Sequence, residues 1–232
     1  MSDATIANHL TAPNANTSKT LNQFALTSDT LQFGLNFTHT LLPKAGLINK
    51  LKGREQAMDI DLSCVLFDAS LTVTDTVWFK QLRDATMAVR HHGDSLNGKD
   101  RGDMAEVDRY IDVETIEIRL SHLPSTVQHL ALVVSSYHEH GLRQVSRGNV
   151  RFGDDEGNDI YDLDLARLTH DAPALCMAVL SRHPLAGVAG DSDGLQQLGA
   201  WYCHLPVMPL SEYRLPEMNE QLVHVVGELN QG

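Results

Sequence analysis

Leu31-Gln-Phe-Gly-Leu-Asn-Phe-Thr38 places apolar side chains at 31, 33, 35 and 37, with small or polar ones between them. A period of two puts Leu31, Phe33, Leu35 and Phe37 on one face and leaves the other polar, as in a half-buried β-strand. Similar short runs follow along the chain: Leu62–Ala69, Thr74–Phe79, Thr86–Arg90, Thr115–Leu120, Leu130–Tyr137, Gln144–Phe152, Asp159–Leu165, Ala174–Leu180 and Ala200–Leu205. They are separated by Gly, Asp and Asn turns, and helical periodicity is nearly lacking. This pattern predicts an all-β protein built as an antiparallel sandwich or barrel.

The ends of the chain read differently. Residues 1–20 are rich in Ser, Thr, Asn and Ala without apolar periodicity and read as a flexible leader. Leu41–Gln56, with Pro43, Gly46, Gly53 and four basic residues, reads as an exposed loop. From Pro216 onward, Met218, Leu222, Val225, Val226 and Leu229 recur at helical spacing, with Glu217 and Glu220 near the positive end of the dipole. The expected organisation is a leader over 1–20, a β-domain over 21–210 and a short amphipathic helical tail over 211–232.

The 232 residues carry 30 Asp and Glu against 18 Lys and Arg, a formal charge of −12. Phosphate binding needs clustered basic side chains, so duplex nucleic acid is not an expected partner. No apolar run reaches the roughly 18–20 residues that span a bilayer, and no basic segment followed by an apolar one opens the chain. Cys64, Cys176 and Cys203 are odd in number, far apart and embedded in apolar runs, which predicts buried thiols of a reducing cytoplasm. The negative charge is local. Residues 91–114 hold seven acidic and three basic side chains, and residues 151–171 hold seven and two, while residues 1–58 are slightly basic.

Two spelled signatures fail on physical grounds. Gly93-Asp-Ser-Leu-Asn-Gly-Lys-Asp100 has P-loop spacing, but Asp100 stands where a hydroxyl should hold magnesium, and Asp94 would repel phosphate. Gly190-Asp-Ser-Asp-Gly194 spells a nucleophile elbow, but a weak strand precedes it and Asp193 would oppose an oxyanion, so it reads as an acidic turn. His138-Glu-His140 points two imidazoles to one face and could hold zinc with His91 or His92, Glu139 acting as base. No third ligand is fixed by spacing, so the pair reads as a strand end or turn before Gly141. Asp154-Asp-Glu-Gly-Asn-Asp159 has the composition of a hairpin turn.

The run from Asp94 to Glu106 is more informative. Asp94, Asn97, Asp100, Asp103 and Glu106 supply oxygen atoms at nearly every third residue around two glycines. Asp59-Ile-Asp61 adds two carboxylates on one strand face. A hard cation such as calcium takes about six to eight oxygen ligands of these kinds. The spacing is not that of an EF-hand, and composition alone leaves a solvated acidic loop and a calcium loop equally placed.

Several segments, in order, resemble the TerD domain of tellurium-resistance and stress-response proteins. Met58-Asp-Ile-Asp-Leu-Ser63 is similar to the family's F-D-L-D-A-S segment, and His92-Gly-Asp-Ser-Leu-Asn-Gly98 to its G-D-N-x-T-G loop. Gly102-Asp-Met-Ala-Glu106 corresponds to the acidic tail of that loop, Leu130–Tyr137 to the central apolar strand, and Asp154–Leu163 to the N-x-D-G-x-E-x-x-x-Y-D-L hairpin. Leu180-Ser-Arg-His183 and Trp201 complete the order. The resemblance implies a β-sandwich of two packed sheets, calcium as the bound ion, no catalytic activity, and work through protein partners of a stress-response complex. It implies Asp59, Asp61, Asp94, Asp103 and Glu106 as calcium ligands, and the composition of the run adds Asn97 and Asp100 as further expected oxygen donors. Ser95, Asn97, Arg101, Met104 and Ala105 depart from the pattern, which implies weaker binding or one site fewer. The runner-up expectation is a divergent scaffold that has lost its metal, and behind it a zinc enzyme using His138 and His140.

Overall fold

The computed structural model describes residues 18–44, 49, 51–93, 112–182 and 194–230. Fourteen strands fall within them. Sheet A runs β1 (Lys19–Thr20), β13 (Trp201–His204), β12 (Ala174–Arg182), β9 (His129–Ser136), β5 (Ile60–Phe67), β6 (Val73–Val77), with β14 (Met208–Leu210) also on β12. Sheet B runs β11 (Asp159–Asp164), β10 (Gly148–Asp154), β2 (Thr30–Phe37), β8 (Glu114–Arg119), β7 (Val89–His91). Every pairing in the two sheets is antiparallel.

The sheets pack face to face over one apolar layer. Leu31, Phe33, Leu35 and Phe37 of β2 point into it, as their alternation requires, together with Ile116, Ile118, Val150 and Phe152 of the neighbouring strands. Sheet A answers with Ile60, Leu62, Cys64 and Leu66 of β5 and with Leu130, Leu132 and Val134 of β9.

A second apolar layer explains why β9 does not alternate. Val65, Phe67, Ala131, Val133, Ala174, Cys176 and Val179 face away from the sandwich core and are buried all the same. They lie under the C-terminal helix, here α2 (Met218–Leu229), which presents Met218, Leu222, Val225 and Val226 to them. The spacing 218, 222, 225, 226 is one helical stripe. Strands covered on both faces lose their polar face and read as continuous apolar runs, such as Leu130-Ala-Leu-Val-Val.

The structure differs from the sequence expectation in several segments. Leu41–Gln56 is not wholly a loop: β3 (Leu41–Pro43) pairs with β4 (Glu55–Ala57) in a small hairpin, Leu41 opposite Ala57. The expected strand at Thr86–Arg90 begins only at Val89. Asp84 accepts hydrogen bonds from the backbone N–H groups of Thr86 and Val89 and from the Thr86 hydroxyl, and Met87 has φ +61°, so residues 84–88 form a turn. Of the expected Gly190–Gly194 turn, residues 190–193 lie outside the described residues, and Gly194 opens a short helix, α1 (Gly194–Gly199), that runs into β13. Lys19–Thr20, at the end of the expected leader, already pairs with Cys203 and Tyr202 of β13. Among the described residues no helix is long and apolar enough to cross a membrane.

Candidate functional site

Asp59 immediately precedes β5 and Asp61 lies in it, on the strand that shares its ladder with β9: Asp61 lies opposite Ser135, and Tyr137 N–H donates to the Asp59 carbonyl at 3.0 Å. Ile60, Leu62 and Cys64 point into the core, so Asp61 and Ser63 point to the outer face of sheet A, and Asp59 shares their parity. Both carboxylates are nearly enclosed, Asp59 at 9% and Asp61 at 5% exposure. The outer face of sheet A is thus divided along β5. Its far end (Val65, Phe67) lies under α2, and its near end (Asp59, Asp61, Ser63) is polar.

The near end is also where the acidic connection between β7 and β8 is anchored. Glu114, the first residue of β8, reaches across to sheet A and accepts from Leu62 N–H at 3.1 Å. On β5, β6 pairs only from Cys64 onward, so the carboxylate serves a backbone donor at the open edge of the sheet. His91, the last residue of β7, places Nε2 3.5 Å from the same Glu114 oxygen, and both side chains are fully buried. Asp112 is fixed on the outer face of sheet B. Its Oδ2 accepts from Arg151 Nε at 2.8 Å and pairs with a second guanidinium nitrogen at 2.7 Å. It lies so close over Gly34 that a Cβ there would stand 2.2 Å from the carboxylate. Burial works against the Arg151 charge, but hydrogen bonding and attraction from Asp112 and Asp159 outweigh it and raise its pKa.

Of the expected cation ligands, Asp59 and Asp61 therefore sit together on one strand face. Asp94, Asn97, Asp100, Asp103 and Glu106 lie outside the described residues. The two ends of their segment are placed, because Gly93 follows His91 by two residues and Asp112 precedes Glu114 by two. Both ends are thus tied within a few residues of Leu62, next to Asp61.

The zinc arrangement is not brought together. His91 is buried against Glu114, and His92 lies 3.4 Å from Glu117 on sheet B. His138 and His140 stand near each other, ring centroids 6.4 Å apart, in the turn after β9. Burial holds the His138 pKa below its ordinary value, with His140, Lys44 and Arg214 adding to the effect. Among the described residues no three His, Cys, Asp or Glu side chains converge on one point. The three thiols are buried, and burial raises their pKa values, Cys176 to about 12.

The other acidic window is an ordered hairpin turn. Asp154, at the end of β10, accepts from the N–H groups of Thr27 (2.7 Å) and Asn158 (2.8 Å) and from the Asn158 amide. Burial alone would raise its pKa, but these hydrogen bonds hold it below the usual value. Asp162 and Asp164 bond locally, to Asn149 and to the N–H of Ala166.

Sequence reading misses what gathers around Asp61. A cavity of about 220 Å³ opens over it, floored by Asp61, Ser63 and Ser135, and walled by Trp78, Phe79, Lys80, Tyr137 and the Tyr213–Leu215 segment that leads into α2. Trp78, Tyr137 and Tyr213 are far apart in the chain, and only the adjacency of Trp78 and Phe79 gives any local signal.

The TerD domain family model matches residues 17–187. The tellurium resistance protein TerZ of Serratia marcescens is 34% identical over 130 residues, which cover 56% of this chain and 62% of TerZ. The chain thus spans less than two thirds of that relative's length. A homologue of the telluride resistance protein TerD, SCO6318 from Streptomyces coelicolor A3(2), superposes with a TM-score of 0.61 at 13% identity, covering 84% of this chain and 98% of that one. The protein of unknown function SAV2460 superposes with a TM-score of 0.58 at 12% identity, covering 81% and 92%. At such identities the two structures share the fold alone.

Proposed function

The chain belongs to the TerD domain family, and from that premise we propose that it is a calcium-binding module of the tellurium-resistance type that works through protein partners rather than by catalysis. One observation supports the reading most. The buried Asp59–Asp61 pair lies at the edge of the sandwich from which the acidic 94–111 connection leaves β7 and to which it returns at β8. Two carboxylates enclosed on one strand face are costly unless cations or hydrogen bonds stabilise them, and they are hard donors of the kind calcium prefers. In this reading Asp59 and Asp61 hold the ion from the sandwich side, and Asp94, Asn97, Asp100, Asp103 and Glu106 complete the set. Bound calcium would supply the charge that lets two acidic segments stay together. Glu114 and His91 are positioning residues that fix where the connection starts and ends.

A second reading has its own observation. Lys80 and Arg214 line the same cavity as Asp61, and two cations there could replace a metal ion in a sandwich that has lost it. Thermal unfolding with calcium and with EGTA separates the two. Calcium-dependent stabilisation that disappears in Asp61→Ala supports the first reading. Identical melting curves in both buffers, with Asp61→Ala unmoved by calcium, support the second.

A further inference from the structure

The cavity over Asp61 has a composition that a cation site alone does not require. Its rings form a connected wall: Trp78 and Phe79 meet edge to face at 4.8 Å, and Phe79 meets Tyr137 at 5.9 Å. Tyr213, which also lines the cavity, donates its hydroxyl to Glu139 at 3.3 Å. Two cations stand among these rings. Lys80 Nζ lies 5.0 Å from the Trp78 centroid and 5.2 Å from that of Phe79, and Arg214 Cζ lies 5.0 Å above Tyr213. Among the described residues neither makes an ion pair with a carboxylate, and both side chains are exposed where they line the cavity. The floor carries the buried Asp61 carboxylate and two hydroxyls, Ser63 and Ser135.

Aromatic walls with a carboxylate would favour a cationic guest. Here the ring faces are already shared with Lys80 and Arg214, which would repel one. A guest that suits all three parts has a flat body for the rings, an anionic group for the two cations and a donor hydrogen for Asp61. We propose that this cavity binds a small planar organic anion, an aromatic carboxylate or phosphate that also carries a hydroxyl or amino group. Lys80 and Arg214 hold its charge, Phe79, Tyr137 and Tyr213 its ring, and Asp61 its donor. The helix α2 sets the roof, because the Tyr213–Leu215 segment enters it directly.

The chain has two tryptophans, and they make the test specific: Trp78 lines the cavity, whereas Trp201 is fully buried in the sandwich core. The full-length protein, kept in EGTA so that calcium plays no part, is titrated with 4-hydroxybenzoate, 4-aminophenyl phosphate, phenol and benzylamine. Binding is read by calorimetry and by the two indole N–H resonances. The expected result is saturable binding of the two anions that moves the Trp78 signal and leaves Trp201 in place, with phenol and benzylamine much weaker. Lys80→Gln and Arg214→Gln, both at exposed positions, should each weaken the anions about tenfold at unchanged melting temperature. Benzylamine binding as tightly as the anions, unchanged affinity in both variants, or no movement of Trp78 at high millimolar ligand would each overturn the proposal.

Discussion

The outer face of sheet A has two ends, and both draw on β5 and β9. At the far end Val65, Phe67, Ala131, Val133 and Val179 are sealed by the apolar stripe of α2. At the near end Asp59, Asp61, Ser63 and Ser135 occupy equivalent alternating positions, and the chain leading to α2 passes over them leaving a cavity. One end shows packing carried to completion, and the other keeps polar groups enclosed. Enclosed carboxylates clustered at one end of a strand are candidates for a site, since burial penalises their charge unless a ligand or partner offsets it.

The contrast can be broken most directly from the packed end. Leu222 is fully buried beneath the sheet. Leu222→Ala should cost about 2–5 kcal/mol in denaturant unfolding through lost burial and a residual cavity, with calcium affinity unchanged. The polar end should behave in the opposite way. Wild-type protein in calcium at a hundredfold excess over the dissociation constant should gain about 2.7 kcal/mol, and Asp61→Ala should lose that gain while its stability in EGTA stays near wild type. If Asp61→Ala unfolds the protein as Leu222→Ala does, the polar end is structural and the contrast fails.

Glu114 sits between the two behaviours. Truncation to Ala removes the acceptor of the Leu62 N–H and leaves buried His91 without this carboxylate, at an expected cost of about 1–3 kcal/mol. Because Glu114 fixes the return of the acidic connection, calcium affinity should fall as well, which chelator-controlled melting would show.

The smallest effect is the pH dependence. Burial lowers the pKa values of His204 and His129, the latter partly offset by Asp68. The unfolded chain, with histidines near the ordinary value of about 6.5, then binds more protons than the native state at mildly acid pH. Stability should therefore be highest above that value and fall as pH drops through it. His204→Asn should flatten the decline, and a melting temperature that rises on acidification would contradict the assignment.

How much of this is legible in the sequence follows from how local each signal is. The alternation of Leu31–Phe37 and the stripe Met218–Val226 each lie within one element, so the core strand and the covering helix can be read from residue order alone. Asp59-Ile-Asp61 is legible for the same reason, since two residues apart on a strand means one face. The β3–β4 hairpin is concealed by proline and basic residues, and β14 by Pro206 and Pro209. The turn at Asp84 is set by one side chain accepting three hydrogen bonds, which overrides the β-propensity of Thr86. The reach of Glu114 to Leu62 spans 52 positions, and the cavity joins Trp78, Tyr137 and Tyr213. Contacts of that range come from strand order, which no local pattern encodes.

The most direct test of the proposed cation site is a calorimetric calcium titration of the full chain beside Asp61→Ala and Leu222→Ala. Saturable binding of at least one ion is predicted for wild type and Leu222→Ala, and none for Asp61→Ala. Binding that survives in Asp61→Ala, or no binding by wild type at millimolar calcium, would contradict it.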